Sequence, residues 1–191
     1  MTVDTLRRAV AAAEPVLANV QPAQLDRSTP CASWDVRALV NHLVGSTHWF
    51  AATVETGVAP ASDHGEFQSD VTGGDIQAAY RDGTQAAIAA FSAPGALDKI
   101  LKLPFGEMPA NAFLMMAAID QLQHAWDLAV ATGQAADLDP ELAASLLEFA
   151  TAAVPDTFRG PDGVAPFGPV VPSSAEAAPS DRLAAFLGRR R

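Results

Sequence analysis

Apolar side chains recur at three- and four-residue steps over most of this 191-residue chain, a spacing that is typical of amphipathic α-helices. The pattern predicts six helices, of which the last is short. Their expected ranges are about 3–19, 34–56, 76–91, 109–132, 140–153 and 181–187. Because no convincing hairpin pattern lies between them, the sequence predicts an all-α fold.

Polar residues and a glycine mark where several of these helices begin and end. Four residues stand where an N-cap is expected: Ser33, Asp75, Asp139 and Ser180. Their side chains can accept a hydrogen bond from a backbone amide that has no partner within the helix. Gly133 follows the fourth helix and can adopt the left-handed conformation that ends a helix.

Three stretches without helical periodicity connect or extend the helices. Residues 57–74 are rich in Gly, Pro, Ser and Asp and are long for a link between antiparallel helices, so they predict a crossover. Residues 97–106 predict an ordered loop or short extended piece, and residues 154–179 predict a Pro/Gly-rich strap. The result is a four-helix bundle with a long crossover, a C-terminal helix, the strap and a short terminal helix. We expect one domain over residues 1–191, with the bundle in about 1–153.

Charge and composition narrow the range of partners. With 22 acidic and 12 basic residues the net charge is −10, the wrong sign for a surface that follows phosphates, so we expect no nucleic-acid partner. No apolar run approaches the roughly 20 residues that span a bilayer, and Asp4, Arg7 and Arg8 stand where a signal peptide needs an apolar core. The single cysteine, Cys31, cannot form an internal disulfide. We therefore expect a cytoplasmic protein with no membrane partner.

The histidines are the first candidates for chemistry, because one cysteine leaves a metal site to imidazoles and carboxylates. His42 lies about 110° from the centre of the apolar stripe on the second predicted helix, at an edge that can face a pocket. His48 falls on the opposite side of that helix, and His64 falls in the crossover. We expect these last two at the surface.

A further pair of candidates stands on the fourth predicted helix. Asp120 and His124 are four residues apart, which places them about 40° from each other on a face with apolar neighbours. Two such side chains and a third ligand from another helix make metal centres inside bundles, and zinc accepts two imidazoles and a carboxylate while keeping one position open. The alternative is a local Asp–His hydrogen bond on a helix surface. The spacing alone leaves both interpretations open.

Cys31 and Asp127 each allow two interpretations. Cys31 precedes the second predicted helix, where a helix N-terminus can favour a thiolate, or it is a small buried residue in a turn. Asp127 can hold a histidine by a hydrogen bond or bond the backbone at a neighbouring helix end. The three tryptophans are expected to be packing residues rather than a binding platform: Trp34, Trp49 and Trp126.

Five motifs occur in an order that connects these candidates. They are TPCASWDVR at 29–37, LVNHLVG at 39–45, PFGEMP at 104–109, HAWDLA at 124–129 and DRLAAFLGR at 181–189. In this order they resemble the actinobacterial metal-binding branch of the DinB-like superfamily. That branch contains the N-terminal domain of mycothiol-dependent maleylpyruvate isomerase, and the resemblance covers nearly the whole chain.

The resemblance implies a bundle that holds a divalent metal ion between one histidine of the second helix and a pair from a later helix. The matching positions in this chain are His42, Asp120 and His124. It also implies zinc, with nickel as an alternative, and mycothiol as a cosubstrate. The implied activity is a thiol-dependent isomerase or S-transferase that acts on an electrophilic substrate, and a homodimer is compatible with it.

Two other functions stay open at this point. The same ligands could hold the helices together in a metal-stabilised or metal-sensing binding module without turnover. Alternatively, the three residues never meet and the chain is a helical interaction protein. Side chains more than about 7 Å apart would favour that last hypothesis, because zinc ligands lie about 2 Å from the ion.

Overall fold

A computed structural model of the chain describes residues 2–61, 70–161 and 164–191. The helices in these ranges, in chain order, are α1 (Val3–Ala18), α2 (Val36–Thr56), α3 (Ile76–Ser92), α4 (Ala110–Thr132), α5 (Pro140–Ala153) and α6 (Pro179–Phe186). The predicted all-α fold is confirmed. The expected crossover is described only at its two ends, and His64 lies outside the described residues.

The first four helices form the bundle. α1 packs against α3 and α4, and α2 packs against the same two helices, which places α1 and α2 at opposite corners. The predicted stripe on α2 is buried throughout: Val36, Leu39, Val40, Leu43, Thr47, Phe50 and Val54. α4 also contacts α5 and α6, so it is surrounded by other helices. This position explains why the sequence of α4 is apolar on nearly every side.

A small hairpin replaces the loop or extended piece expected at 97–106. Strands β1 (Ile100–Leu103) and β2 (Gly106–Pro109) pair in antiparallel register. Leu101 and Leu103 alternate with exposed residues and are buried under the hairpin. The sequence did not predict the pairing, because each strand has only four residues and the turn lacks the Asn-Gly or Asp-Gly typical of short hairpins.

Three of the predicted caps are confirmed. The side chain of Asp75 accepts a hydrogen bond from the amide of Ala78, and that of Asp139 accepts one from the amide of Leu142. Gly133 ends α4 in the left-handed region at φ 74°. In each case the local sequence alone was enough to place the helix end.

The caps predicted at Ser33 and Ser180 are wrong. α2 begins two residues after the expected start, and Asp35 accepts the capping bond from Ala38. The Thr29 hydroxyl bonds the carbonyl of Trp34, which keeps the residues before Asp35 in a turn. Ser180 lies inside α6, and its hydroxyl donates to the carbonyl of Leu138.

The strap and α6 are held against the bundle by apolar packing and by polar contacts. α6 packs against α4 and α5, and the Trp126 indole donates to a carboxylate oxygen of Asp181 at 2.9 Å. On the strap, Arg159 donates to the carbonyls of Gly168 and Phe186. Within the described ranges, no helix combines the length and the apolar composition needed to cross a membrane.

Candidate metal centre

The three predicted ligands project from two helices that pack against each other. His42 lies on α2, one position before the fully buried Leu43, at the edge of the stripe that faces the core. Asp120 and His124 lie one turn apart on α4. Because α2 packs on α4, the edge of the α2 stripe meets the polar positions of α4. The structure therefore brings His42 to the Asp120–His124 pair, which spacing within each helix could not show.

One carboxylate oxygen lies between the two imidazoles. Oδ1 of Asp120 is 2.9 Å from Nε2 of His42 and 3.7 Å from Nε2 of His124. One potential ligand atom from each residue lies within 4.8 Å of the others. Ligands about 2 Å from a tetrahedral ion are separated by roughly 3.3 Å, so these distances are near those of a zinc site. The hypothesis that the three residues never meet is not supported.

The other oxygen of Asp120 is held by neighbouring polar side chains. Oδ2 accepts hydrogen bonds from the Ser46 hydroxyl at 3.0 Å and from the Gln121 amide at 3.2 Å. Gln121 in turn accepts a hydrogen bond from the buried Tyr80 hydroxyl at 2.7 Å. These contacts fix the carboxylate so that Oδ1 points at the imidazoles.

Sequence reasoning missed this supporting group. Helical spacing places Ser46 one turn after His42 on the same side of α2, but it does not show that the Ser46 hydroxyl bonds Asp120. Tyr80 comes from α3, and only the packing of three helices brings it to Gln121.

The electrostatics of the site favour a charged carboxylate. Burial by itself raises the pKa of Asp120, but the charges and hydrogen bonds of His42, together with His124 and Ser46, lower it to about 2. Burial also lowers the pKa of His124, although its hydrogen bond to Asp127 opposes the shift. An anionic Asp120 and a neutral His124 are the forms of these two side chains that bind a divalent cation.

Asp127 holds the far side of His124. Its Oδ2 lies 3.0 Å from Nδ1 of His124, and its Oδ1 accepts a hydrogen bond from the Gln123 amide at 3.3 Å. The Asp127 side chain is completely buried. Of the two interpretations given for this residue, contact with a histidine is the one observed.

The loop before α2 covers the two imidazoles. The Trp34 ring centroid lies 4.5 Å from that of His42 and 5.4 Å from that of His124. Trp34 therefore packs as predicted, but it packs on the candidate ligands. Cys31 is buried in the turn before α2, in agreement with the second of its two interpretations. His48 is exposed as predicted.

Lowering the pH is expected to destabilise the metal-free protein. Since the pKa of His124 is lowered from 6.5 in the folded chain, the unfolded chain binds a proton that the folded chain does not, and the free energy of unfolding falls below about pH 6.5. Asp120 adds stability above pH 3.8 that is lost as the pH approaches about 2.

Urea unfolding of the metal-free protein at about pH 7 and about pH 5 checks the histidine contribution. The His124→Gln variant should lose less stability over this interval than the native chain, whereas His48→Gln should lose the same amount. An identical loss in the native chain and His124→Gln would contradict the prediction.

Comparisons with known proteins identify the family of the chain. The profile of the family described as the mycothiol maleylpyruvate isomerase N-terminal domain matches residues 6–129, a range that contains His42, Asp120 and His124. Two uncharacterised proteins of Mycobacterium tuberculosis, from strains CDC 1551 and H37Rv, are each 41% identical over 187 residues, covering 96% of this chain and 94% of each relative. No solved structure matches the chain. The chain belongs to the mycothiol maleylpyruvate isomerase N-terminal domain family, which is a DinB-like family.

Proposed function

We propose that the protein binds a divalent ion through His42, Asp120 and His124 and uses it to activate a low-molecular-weight thiol such as mycothiol. The observation that carries this proposal is the position of Oδ1 of Asp120. It lies 2.9 Å from Nε2 of His42 on α2 and 3.7 Å from Nε2 of His124 on α4. The family supports mycothiol as the thiol.

The donor set fits zinc, with nickel as the alternative. Two neutral imidazoles and one carboxylate are a ligand set that zinc accepts in catalytic sites, and they leave one position for a fourth ligand. Nickel also binds imidazole well, so the side chains alone do not separate the two ions. In such a site the ion would lower the pKa of a bound thiol and supply thiolate at neutral pH.

The chain's own residues would orient the ligands and exclude water. Ser46 holds the outer oxygen of Asp120, and Asp127 holds the outer nitrogen of His124, so these two ligands keep their coordinating atoms turned inward. The Trp34 ring covers both imidazoles and provides an apolar wall beside the ligands. A thiolate placed there would add to an electrophilic double bond or displace a leaving group, which corresponds to an isomerase or an S-transferase.

A metal-stabilised or metal-sensing module without turnover is the second candidate. It is favoured by the low exposure of the ligand side chains, which is 11% for His42, 18% for Asp120 and 9% for His124. An enclosed site suits an ion that holds helices together, whereas catalysis needs room for thiol and substrate. The two candidate functions use the same three metal ligands. They differ in whether a thiol reaches the fourth coordination position of the ion.

We also propose one domain and a cytoplasmic location for the chain, since a single cysteine fits a reducing compartment. A homodimer is the oligomeric state that we retain as a prediction.

Replacement of Asp120 by asparagine tests whether this carboxylate is a ligand. Asp120→Asn should weaken zinc binding by on the order of 100-fold, because it removes the negative charge between the imidazoles and keeps the side-chain shape. The measurement is a zinc titration of protein purified without a polyhistidine tag. Asp82→Asn, at an exposed position on α3, is the matched control and should bind zinc as the native chain does. Equal affinities in Asp120→Asn and the native chain would remove Asp120 from the site.

A further inference from the structure

Asp127 receives a second contact from the C-terminal end of the chain. Nε of Arg189 lies 3.5 Å from Oδ2 of Asp127, the same oxygen that lies 3.0 Å from Nδ1 of His124. Asp127 is fully buried, and the Arg189 side chain is only 11% exposed. A carboxylate removed from water in this way is stabilised when a cation accompanies it. Arg189 lies 60 residues beyond the end of the segment that matches the family, residues 6–129.

The backbone around Arg189 is built to hold this side chain in place. Gly188 follows α6 in the left-handed region at φ 89°, and the Arg189 amide then donates to the carbonyl of Ala184 at 2.8 Å. A side chain at Gly188 would place its Cβ 2.5 Å from the Cα of Gly168 on the strap, so only glycine fits. Nη1 of Arg189 donates to the carbonyl of Leu187 at 3.1 Å. The backbone after α6 therefore fixes the Arg189 guanidinium beside Asp127 on α4.

The same guanidinium lies within a second group of potential ligands. Cys31, His124 and Asp127 have ligand atoms within 4.8 Å of one another. Nη2 of Arg189 is 3.7 Å from Sγ of Cys31, and Nε is 3.5 Å from Asp127. A metal ion bound among these three residues would face a fixed positive charge at short range. This group thus already contains a cation, and it lies at Nδ1 of His124, the ring nitrogen turned away from Asp120.

We propose that Arg189 is a positioning residue for the metal centre: it fixes Asp127, which holds the proton on Nδ1 of His124 and leaves the lone pair of Nε2 directed at Asp120. The tautomer of an imidazole ligand is set by the hydrogen bond at its other nitrogen, and loss of such an outer contact typically weakens metal affinity about 10–100-fold. This inference rests on the proposed function, because it assigns His124 the role of ligand.

The test measures zinc affinity in the full-length chain by competition with a chromophoric chelator. Arg189→Met keeps the length of the aliphatic stem and removes the charge, and it should weaken zinc binding about 10–100-fold. Arg189→Lys should recover part of the loss, since it restores a cation without the planar fork. Arg190→Met, at the exposed neighbouring position, removes the same charge and should leave the affinity unchanged.

A double variant shows whether Arg189 acts through Asp127. Asp127→Asn combined with Arg189→Met removes both halves of the buried pair, so the fold keeps no uncompensated buried charge even if the single Arg189→Met variant does not fold. The double variant should bind zinc no more weakly than Asp127→Asn alone. The proposal would be overturned if the loss of zinc affinity in the double variant equalled the product of the losses in Asp127→Asn and Arg189→Met.

The metal-free protein gives an independent result. The ¹⁵N shifts of the His124 ring should report a single tautomer protonated at Nδ1 in the native chain, and a mixture of tautomers in Arg189→Met or in the double variant. If the native chain binds no zinc, the proposed function fails while this measurement still reports on Arg189. If Arg189→Met binds zinc as tightly as the native chain and shows the same His124 tautomer, the inference about Arg189 is wrong and the proposed function is unaffected.

Discussion

Replacing His124 with alanine is expected to abolish zinc binding at the concentrations where the native chain is saturated. His124 joins the two halves of the site, because one ring nitrogen faces Asp120 at 3.7 Å and the other faces Asp127 at 3.0 Å. The variant therefore loses a ligand and also removes the hydrogen bond between the ring and the buried Asp127 carboxylate. Removal of an outer contact alone costs about 10–100-fold in affinity, so loss of the ligand itself should exceed about 100-fold.

The matched control for this variant is His48→Ala. His48 is exposed on α2, so its replacement removes an imidazole from the same protein without touching the site. Circular dichroism should show that both variants are helical, since the core residues around the site are apolar and do not depend on an ion. Metal analysis that gives His124→Ala the same zinc content as His48→Ala would contradict the assignment of His124.

Replacing Phe113 with alanine is expected to cause the largest loss of stability among the single variants considered. Phe113 is fully buried at the start of α4, where its ring lies 5.5 Å from Trp49, 5.3 Å from Phe50 and 6.1 Å from Phe91 between centroids. These partners come from α2 and α3, so the ring ties three helices together. Phe→Ala at such a position costs about 3–5 kcal/mol of unfolding free energy.

The control is Phe105→Ala in the turn of the hairpin, where the side chain is 54% exposed. It deletes the same atoms but creates no buried cavity, so urea unfolding should show a change of less than about 1 kcal/mol. A comparable loss in the two variants would mean that the bundle core does not centre on Phe113. Zinc affinity should be measured in both variants, because a collapsed bundle would also separate α2 from α4.

Local sequence was sufficient to predict the ends of helices that have a clear capping residue. Asp139 is followed by a proline and a glutamate, and α5 begins there as predicted. Ser33 offered an equally good cap, but Asp35 caps α2 because Thr29 holds the preceding turn. The hairpin was beyond local reasoning, since four residues cannot distinguish a strand from an ordered loop.

The candidate site was predictable in part. Contacts within one helix could be predicted from the sequence, whereas contacts between separate elements could not. Asp120 and His124 share a helix, so spacing alone placed them on one face. His42 was placed at the edge of its helix, but its pairing with Asp120 depends on how α2 packs on α4 and was implied only by the family resemblance. Tyr80 and Arg189 reach the site through tertiary packing, which no spacing within one helix can indicate.

Cobalt substitution followed by titration with mycothiol tests the central proposal most directly. Cobalt(II) occupies zinc sites, and a thiolate that enters its coordination shell produces an intense charge-transfer band in the near ultraviolet. The S-methylated thiol, which has no ionisable sulfur, is the ligand control, and His42→Ala is the protein control. We predict a saturable band with one mycothiol per metal ion in the native chain and none with either control. Tight cobalt binding without such a band at saturating mycothiol would contradict thiol activation and leave the ion with a structural or sensing role.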